Sequence, residues 1–243
     1  MKQKHILTYF ISALACMLLF SVSLNAQNDS IVNTVKDSIK IKEKYGLRVG
    51  GDLGKLVRSF VDDDYTGFEV SADFRLKKRL YLAGELGIEE KHTITDYLNV
   101  TTSGSYLKAG IDYNLYQNWL DMDNMIYAGF RVGASTFSQT LHSYSIYTTD
   151  TYWSSQFSPT DAQEFNGLTA FWGELILGIK TELLTNLYLG LNVQLKILAS
   201  ETEPNNFENI YIPGFNKTYD SSGIGTGFSY SLSYRIPLYK KDK

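Results

Sequence analysis

Cysteine is all but absent. The chain of 243 residues has one, Cys16, close to the N-terminus. Histidine is scarce as well, and only His92 and His142 lie beyond the first few residues. Past the N-terminal stretch, no apolar run reaches the ~18 residues that a transmembrane helix needs. Neither sign of charge dominates, the net value being −3. Each absence excludes something. A lone cysteine gives no disulfide framework. Without a long apolar helix, any passage through a membrane must use strands, and those strands must close into a barrel, because an open sheet edge cannot face lipid. A mildly acidic chain argues against nucleic acid as a partner.

What is present begins with an export signal. Lys2, Lys4 and His5 form a basic start, Ile6 to Leu24 is mostly apolar, and Ala26 is a small residue before Gln27. This order predicts a secretory signal peptide over residues 1–26, cleaved after Ala26. A retained anchor is the rival reading, against which Ser21, Ser23 and Asn25 dilute the end of the segment. Cys16 follows Leu14-Ala15 as a lipoprotein cysteine would, yet Met17 to Leu24 stays apolar behind it, so it reads as part of the apolar region. Loss of Lys2 and Lys4 with the leader moves the net charge from −3 to −5. Residues 27–44 are polar and Lys-rich. Ile31, Val35 and Ile39 lie at helical spacing there, but the stretch is expected to be a disordered periplasmic lead-in.

From residue 45 the pattern has period 2. In the segment Gly67 to Glu89, Phe68, Val70, Ala72, Phe74 and Leu76 alternate with Glu69, Ser71, Asp73, Arg75 and Lys77. After a Lys77-Lys78-Arg79 turn, Leu80, Leu82, Gly84, Leu86 and Ile88 alternate with Tyr81, Ala83, Glu85, Gly87 and Glu89. Successive strand residues point to opposite faces, so one face is apolar and the other carries both signs of charge. The same pattern predicts further strands at Tyr45 to Gly54, Ser105 to Tyr116, Met125 to Phe137, Leu168 to Leu183, Leu187 to Ile197 and Ile224 to Leu238. Connections after strands two, four and six are short. Those after one, three (Glu90 to Gly104), five (Ser138 to Asn166) and seven (Ser200 to Ser222) are long. Membrane barrels show this asymmetry, with apolar residues facing lipid and polar ones facing the lumen. The expectation is an all-β fold: an eight-stranded antiparallel up-and-down transmembrane β-barrel over residues 45–239, with a basic tail at 240–243. Tyr45, Tyr65, Phe68, Tyr113, Tyr116, Trp119, Phe137 and Tyr239 stand near strand ends, where aromatics form interfacial girdles.

An eight-stranded barrel is just wide enough for side chains to fill it. The predicted lumen set is Arg48, Asp52, Glu69, Asp73, Arg75, Glu85, Glu89, Lys108, Asp112, Arg131, Glu174, Lys180, Lys196 and Arg235. Charges taken out of water must pair. A salt-bridge network is therefore expected to fill the lumen and leave no continuous pore. These charges read as structural, and no catalytic, cofactor-binding or metal-binding residue is assigned. The residues offer three alternatives. A lipid-modifying acyltransferase or deacylase would need a His base beside a Ser nucleophile. His92, His142 and the adjoining Ser143 are the candidates, and they read as exposed loop residues. Asp62-Asp63-Asp64 offers the oxygens a divalent cation prefers, but reads as an acidic solvated loop. A soluble lipocalin-like carrier would turn the apolar face inward. The long loops, rich in Tyr, Trp, Phe, Asn and Ser, suit contact with an extracellular protein or glycan, or shielding of the barrel mouth.

Overall the chain resembles the small eight-stranded outer-membrane barrels of the OmpA and OmpX type. More closely, the leader ending SLNAQ, the YGLRVGGDLGKL first strand, and the segments QNWLDMDNMIYAGFRVGAS and LTNLYLGLNVQLK resemble an uncharacterised Bacteroidota family, classed only as a domain of unknown function and taken to be outer-membrane barrels. The resemblance implies fold and location in the outer membrane of a Gram-negative cell, with its lipid as a partner. It brings no ligand or catalytic residues. The aromatics Phe228, Tyr230, Tyr234 and Tyr239 resemble the closing-strand signal read by the barrel-assembly machinery, although Lys240-Lys241-Asp242-Lys243 follow where that signal usually ends.

Overall fold

Alternating residues form strands because each face then meets one environment. The computed structural model describes residues 42–116, 123–145, 162–216 and 223–242. Its strands are β1 (Lys42–Asp52), β2 (Tyr65–Arg75), β3 (Leu80–Thr95), β4 (Leu98–Asn114), β5 (Met125–Tyr144), β6 (Gln163–Leu184), β7 (Leu187–Glu201) and β8 (Ile224–Asp242), with one helix, α1 (Leu53–Val61). Each strand pairs antiparallel with the next, and β1 pairs with β8, so the sheet closes. Closure leaves no edge along the wall. No helix among the described residues is long and apolar enough to cross a membrane.

The side-chain parity follows the alternation. Leu191 and Val193 are 54% and 53% exposed on the outer wall, while Arg75 and Lys196 are 7% and 2% exposed inside. A soluble carrier would show the reverse, so the lipocalin-like geometry does not hold. Inside, bulky aromatics lie over glycines: Trp172 covers Gly133 and Tyr127 covers Gly178, where a Cβ would come within 2.2 Å and 2.6 Å of the rings. Glycine at these two positions makes room in a narrow cylinder.

Several expected boundaries move. β1 starts at Lys42, inside the expected lead-in, and ends at Asp52. Residues 53–61 form α1 because Asp52 caps it, its Oδ1 accepting from the Gly54 and Lys55 N–H groups at 2.7 and 3.3 Å. Leu53, Leu56, Val57, Phe60 and Val61 then share helical spacing, which a strand reading cannot show. The expected loop Glu90 to Gly104 is largely strand. β3 and β4 pair up to Thr95 and Leu98, leaving a two-residue turn at Asp96-Tyr97. Beyond the apolar band the outer wall turns polar, at Glu90, His92, Thr101 and Ser103, while Val100 and Thr102 stay buried inside, so the apolar-out, polar-in contrast fades. β5 and β6 likewise run past Phe137 and start before Leu168. The backbone of β8 continues to Asp242, through most of the expected tail. The turns after β2 (76–79) and β6 (185–186) lie at one end of the barrel, the turn end. The expected signal peptide, most of the lead-in, Trp119 and the segments 146–161 and 217–222 of two long loops lie outside the described residues.

The expected aromatic girdle is partly corrected. Phe68, Tyr113 and Tyr116 face outward, but Tyr45, Tyr65 and Phe137 are buried, and the exposed Tyr239 stacks on Tyr45 with ring centroids 5.0 Å apart. A register shift between Tyr45 and Gly46 accompanies the Tyr45 ring's place beside Arg75. Tyr65 bonds Glu89 at 3.0 Å, and Phe137 packs with Tyr106 and Trp172.

Candidate functional site

The chemistry-bearing residues converge in the lumen, since every second residue of eight strands points there. At the turn end Glu182 lies 3.7 Å from Lys44 and 3.5 Å from Arg235, and Asp123 pairs with Arg235 and, at 3.8 Å, with Arg75. Next, Asp73 holds Arg48 and Lys180, each at 2.6 Å, so β2 is tied to β1 and, across the lumen, to β6. The Arg48 guanidinium sits over the rings of Tyr81 and Tyr188 at 4.8 and 5.2 Å. Midway, Arg131 pairs with Asp112 at 2.7 Å and Glu85 at 3.6 Å. Lys108 then joins Glu85 at 2.9 Å to Glu69 and Glu174, both at 3.6 Å. Glu174 also accepts from Trp172 Nε1 at 2.7 Å and lies 3.8 Å from Lys196.

All fourteen residues expected in the lumen point inward. Glu85 and Lys180 are slightly exposed, and the other twelve are buried. Four charged residues that alternation did not mark join them: Lys44, Lys55, Asp123 and Glu182. The basic set (Lys44, Arg48, Lys55, Arg75, Lys108, Arg131, Lys180, Lys196, Arg235) then equals the acidic set (Asp52, Glu69, Asp73, Glu85, Glu89, Asp112, Asp123, Glu174, Glu182) in number. Buried charges cost several kcal/mol each unless paired. Here each acid but Asp52 has a basic partner within ion-pair distance, and Asp52 caps α1.

The loop end is closed by two elements. From α1, Lys55 reaches in to Glu89 at 2.7 Å and Glu69 at 2.8 Å, beside the Tyr106 hydroxyl. Burial alone would lower the pKa of this ammonium; Glu89 and Glu69 outweigh it and hold the pKa above its usual value. From the β7–β8 connection, Tyr211, Ile212 and Phe215 are buried in the mouth. Phe215 N donates to Ile212 O at 3.1 Å and Gly214 has φ +82, the geometry of a type II turn with Pro213 leading. Glu89 accepts from Gly214 N and Tyr211 OH, both at 2.8 Å, and Lys196 donates to Gly214 O at 2.7 Å. Burial and the Glu89 charge push the Tyr211 phenol well above its ordinary pKa. Phe215 meets Trp172 edge-on with centroids 5.9 Å apart. The described part of this loop therefore shields the mouth. Nothing in its composition gave its contacts away; the Pro213-Gly214 pair was the one signal of a fixed turn.

The candidate enzyme residues fall elsewhere. His92 lies on β3 and His142 on β5, not in loops, because both strands extend beyond the apolar band. Their rings are 5.9 Å apart, and His142 Nε2 shares a 2.7 Å hydrogen bond with Thr101 rather than with a serine. Asp62 ends α1 and pairs with Arg58 at 3.1 Å and Lys91 at 3.3 Å. Loss of hydration raises its carboxyl pKa, but the hydrogen bonds and charge of Arg58 and Lys91 together outweigh that and hold it below the usual range. No group of three or more His, Cys, Asp or Glu that could hold a metal ion occurs among the described residues.

Comparison with known proteins adds the following. No curated protein matches the sequence. Among solved structures, the chain is similar to the crystal structure of Ail, the attachment invasion locus protein of Yersinia pestis. The TM-score is 0.41 at 7% sequence identity, and the match covers 81% of this chain and 100% of that one. The family described as a domain of unknown function, DUF6048, matches residues 6–241. A match of that extent takes in nearly the whole chain, so the protein belongs to the DUF6048 family.

Proposed function

We propose that the protein is a non-enzymatic outer-membrane barrel of a Gram-negative cell, sealed by its own charges. Its role is structural, with a surface presented at the loop end. One observation carries the reading: a closed cylinder with an apolar outer wall and a charge-balanced, buried interior. In water such a wall is costly; in lipid it is the required one. The strand segment Leu187 to Ile197 has the ~9–11 residues that a tilted strand needs to cross hydrocarbon. In this reading the signal peptide of residues 1–26 exports the chain and the assembly machinery reads β8. The turn end faces the periplasm and the loop end the outside, where the β3–β4 hairpin and the β5–β6 connection are available to an extracellular protein or glycan. The β7–β8 connection contributes less to contact, since residues 211–215 are turned into the mouth.

The test is expression of the full chain with its signal peptide, followed by fractionation. The protein is expected in the outer-membrane pellet, resistant to carbonate extraction. Recovery in the soluble periplasmic fraction would overturn the reading.

A further inference from the structure

The apolar face of α1 is only half covered: Leu53 and Leu56 are half-buried, and the rest is exposed. Val57, Phe60 and Val61 are 60%, 87% and 79% exposed and lie on one side of the helix. The other side is fastened. Lys55 is ion-paired inside the mouth, and the Ser59 hydroxyl both donates to Gly67 O at 3.2 Å and accepts from Gly67 N at 2.8 Å. The fastening fixes which face looks out. Phe60 then lines a cleft of about 800 Å³ against the outer wall of the barrel, with Thr66, Phe68, Ile88, Ser105 and Thr136. That volume is in the range of small-molecule sites. Toward the turn end the cleft opens onto a groove floored by Leu86, Leu107, Ala134 and Phe171, which belongs to the apolar band itself.

We infer that α1 is an in-plane interfacial helix: Val57, Phe60 and Val61 sit in the boundary between headgroups and acyl chains, and the cleft beneath Phe60 takes an acyl chain of a membrane lipid. Three observations lead there. The exposed face is continuous with the wall that meets lipid. The helix has the make-up of an interfacial one, apolar on one side and carrying the exposed Arg58 away from it. The hydroxyls of Ser105 and Thr136 lie in the cleft where the apolar band gives way to polar residues, the level at which a lipid changes character. The inference rests on the membrane-barrel reading.

The test uses the full chain with Cys16→Ser, which leaves no other cysteine, refolded into phosphatidylethanolamine–phosphatidylglycerol vesicles. Single nitroxide labels go on Phe60→Cys, Val61→Cys, Val193→Cys and Asp63→Cys. Collision with oxygen reports lipid and collision with a water-soluble nickel chelate reports water. Labels at 60 and 61 are expected to favour oxygen over the chelate, at a shallower depth than the label at 193, while the label at 63 shows the reverse. Labels at 60 and 61 as open to the chelate as the label at 63 would overturn the inference. Labels there shielded from both reagents would overturn it too, since a protein partner or a second copy then covers the face. If the label at 193 is itself open to the chelate, the membrane-barrel reading falls first and the inference with it.

Discussion

Lys55 shows how much one side chain can hold. Its ammonium is the partner of Glu89 and one of two for Glu69. Replacing it by Met leaves Glu89 with hydrogen bonds but no cation within ion-pair distance. Breaking a buried pair costs roughly 3–5 kcal/mol; with the Lys55 side chain 17% exposed, water screens part of that, and about 2–4 kcal/mol is expected. Urea unfolding of the refolded barrel in vesicles measures it. The pH dependence has a defined sign. The folded pKa of Lys55 lies above the unfolded value of about 10.4. Its contribution is therefore complete below that pH and is lost as the pH rises through the folded pKa. Tyr211, also raised, works in the same direction. Lys55→Arg keeps its charge at any accessible pH, so the variant should lose less stability than the parent above pH ~10.4. Parallel alkaline losses in the two proteins would mean that Lys55 carries none of the effect. Asp62, by contrast, is stabilising above the unfolded carboxyl value, and its contribution fades as the pH falls through its depressed folded pKa.

At the scale of elements, the mouth depends on one turn. Gly214 has φ +82, and a Cβ there would stand 2.5 Å from the Tyr106 ring. Gly214→Ala is expected to weaken the docking of residues 204–216 by roughly 1–3 kcal/mol, the usual cost of a left-handed residue that is not glycine. Limited proteolysis should cut that segment faster while the strands stay resistant; an unchanged cleavage rate would count against the plug. The same loop marks where the sequence stops being legible. The lumen set could be read residue by residue, Glu69 to Arg235, because two unlike surroundings impose unlike residues on alternate positions. That contrast ends at the rims. Asn99, Thr101 and Ser103 are strand residues on a polar outer wall, so without an apolar partner set they read as loop. Lys55 was hidden because α1 breaks the period of two within a connection. Tyr211 and Gly214 meet Glu89 across more than a hundred residues, and no local pattern encodes such a contact.

For the molecule as a whole, charge balance and filling decide permeability. The Glu85–Arg131–Asp112 layer and the Asp73 layer each bridge strands beneath the mouth. Planar bilayers holding the protein are therefore expected to show no stepwise ohmic conductance. Gly214→Ala should not open one, since it disturbs only the layer above. Discrete steps with the parent protein would refute a filled lumen. The way these layers are shared has a further consequence. Lys180 of β6 pairs with Asp73 of β2, and Glu182 of β6 pairs with Lys44 of β1 and Arg235 of β8. A ribbon of hairpins that has not yet met itself along the β1–β8 seam holds many of these ions apart from their counter-ions, and so keeps them hydrated. For these cross-lumen ions dehydration waits for the zipping of that last seam, so burying them and closing the cylinder become a single event.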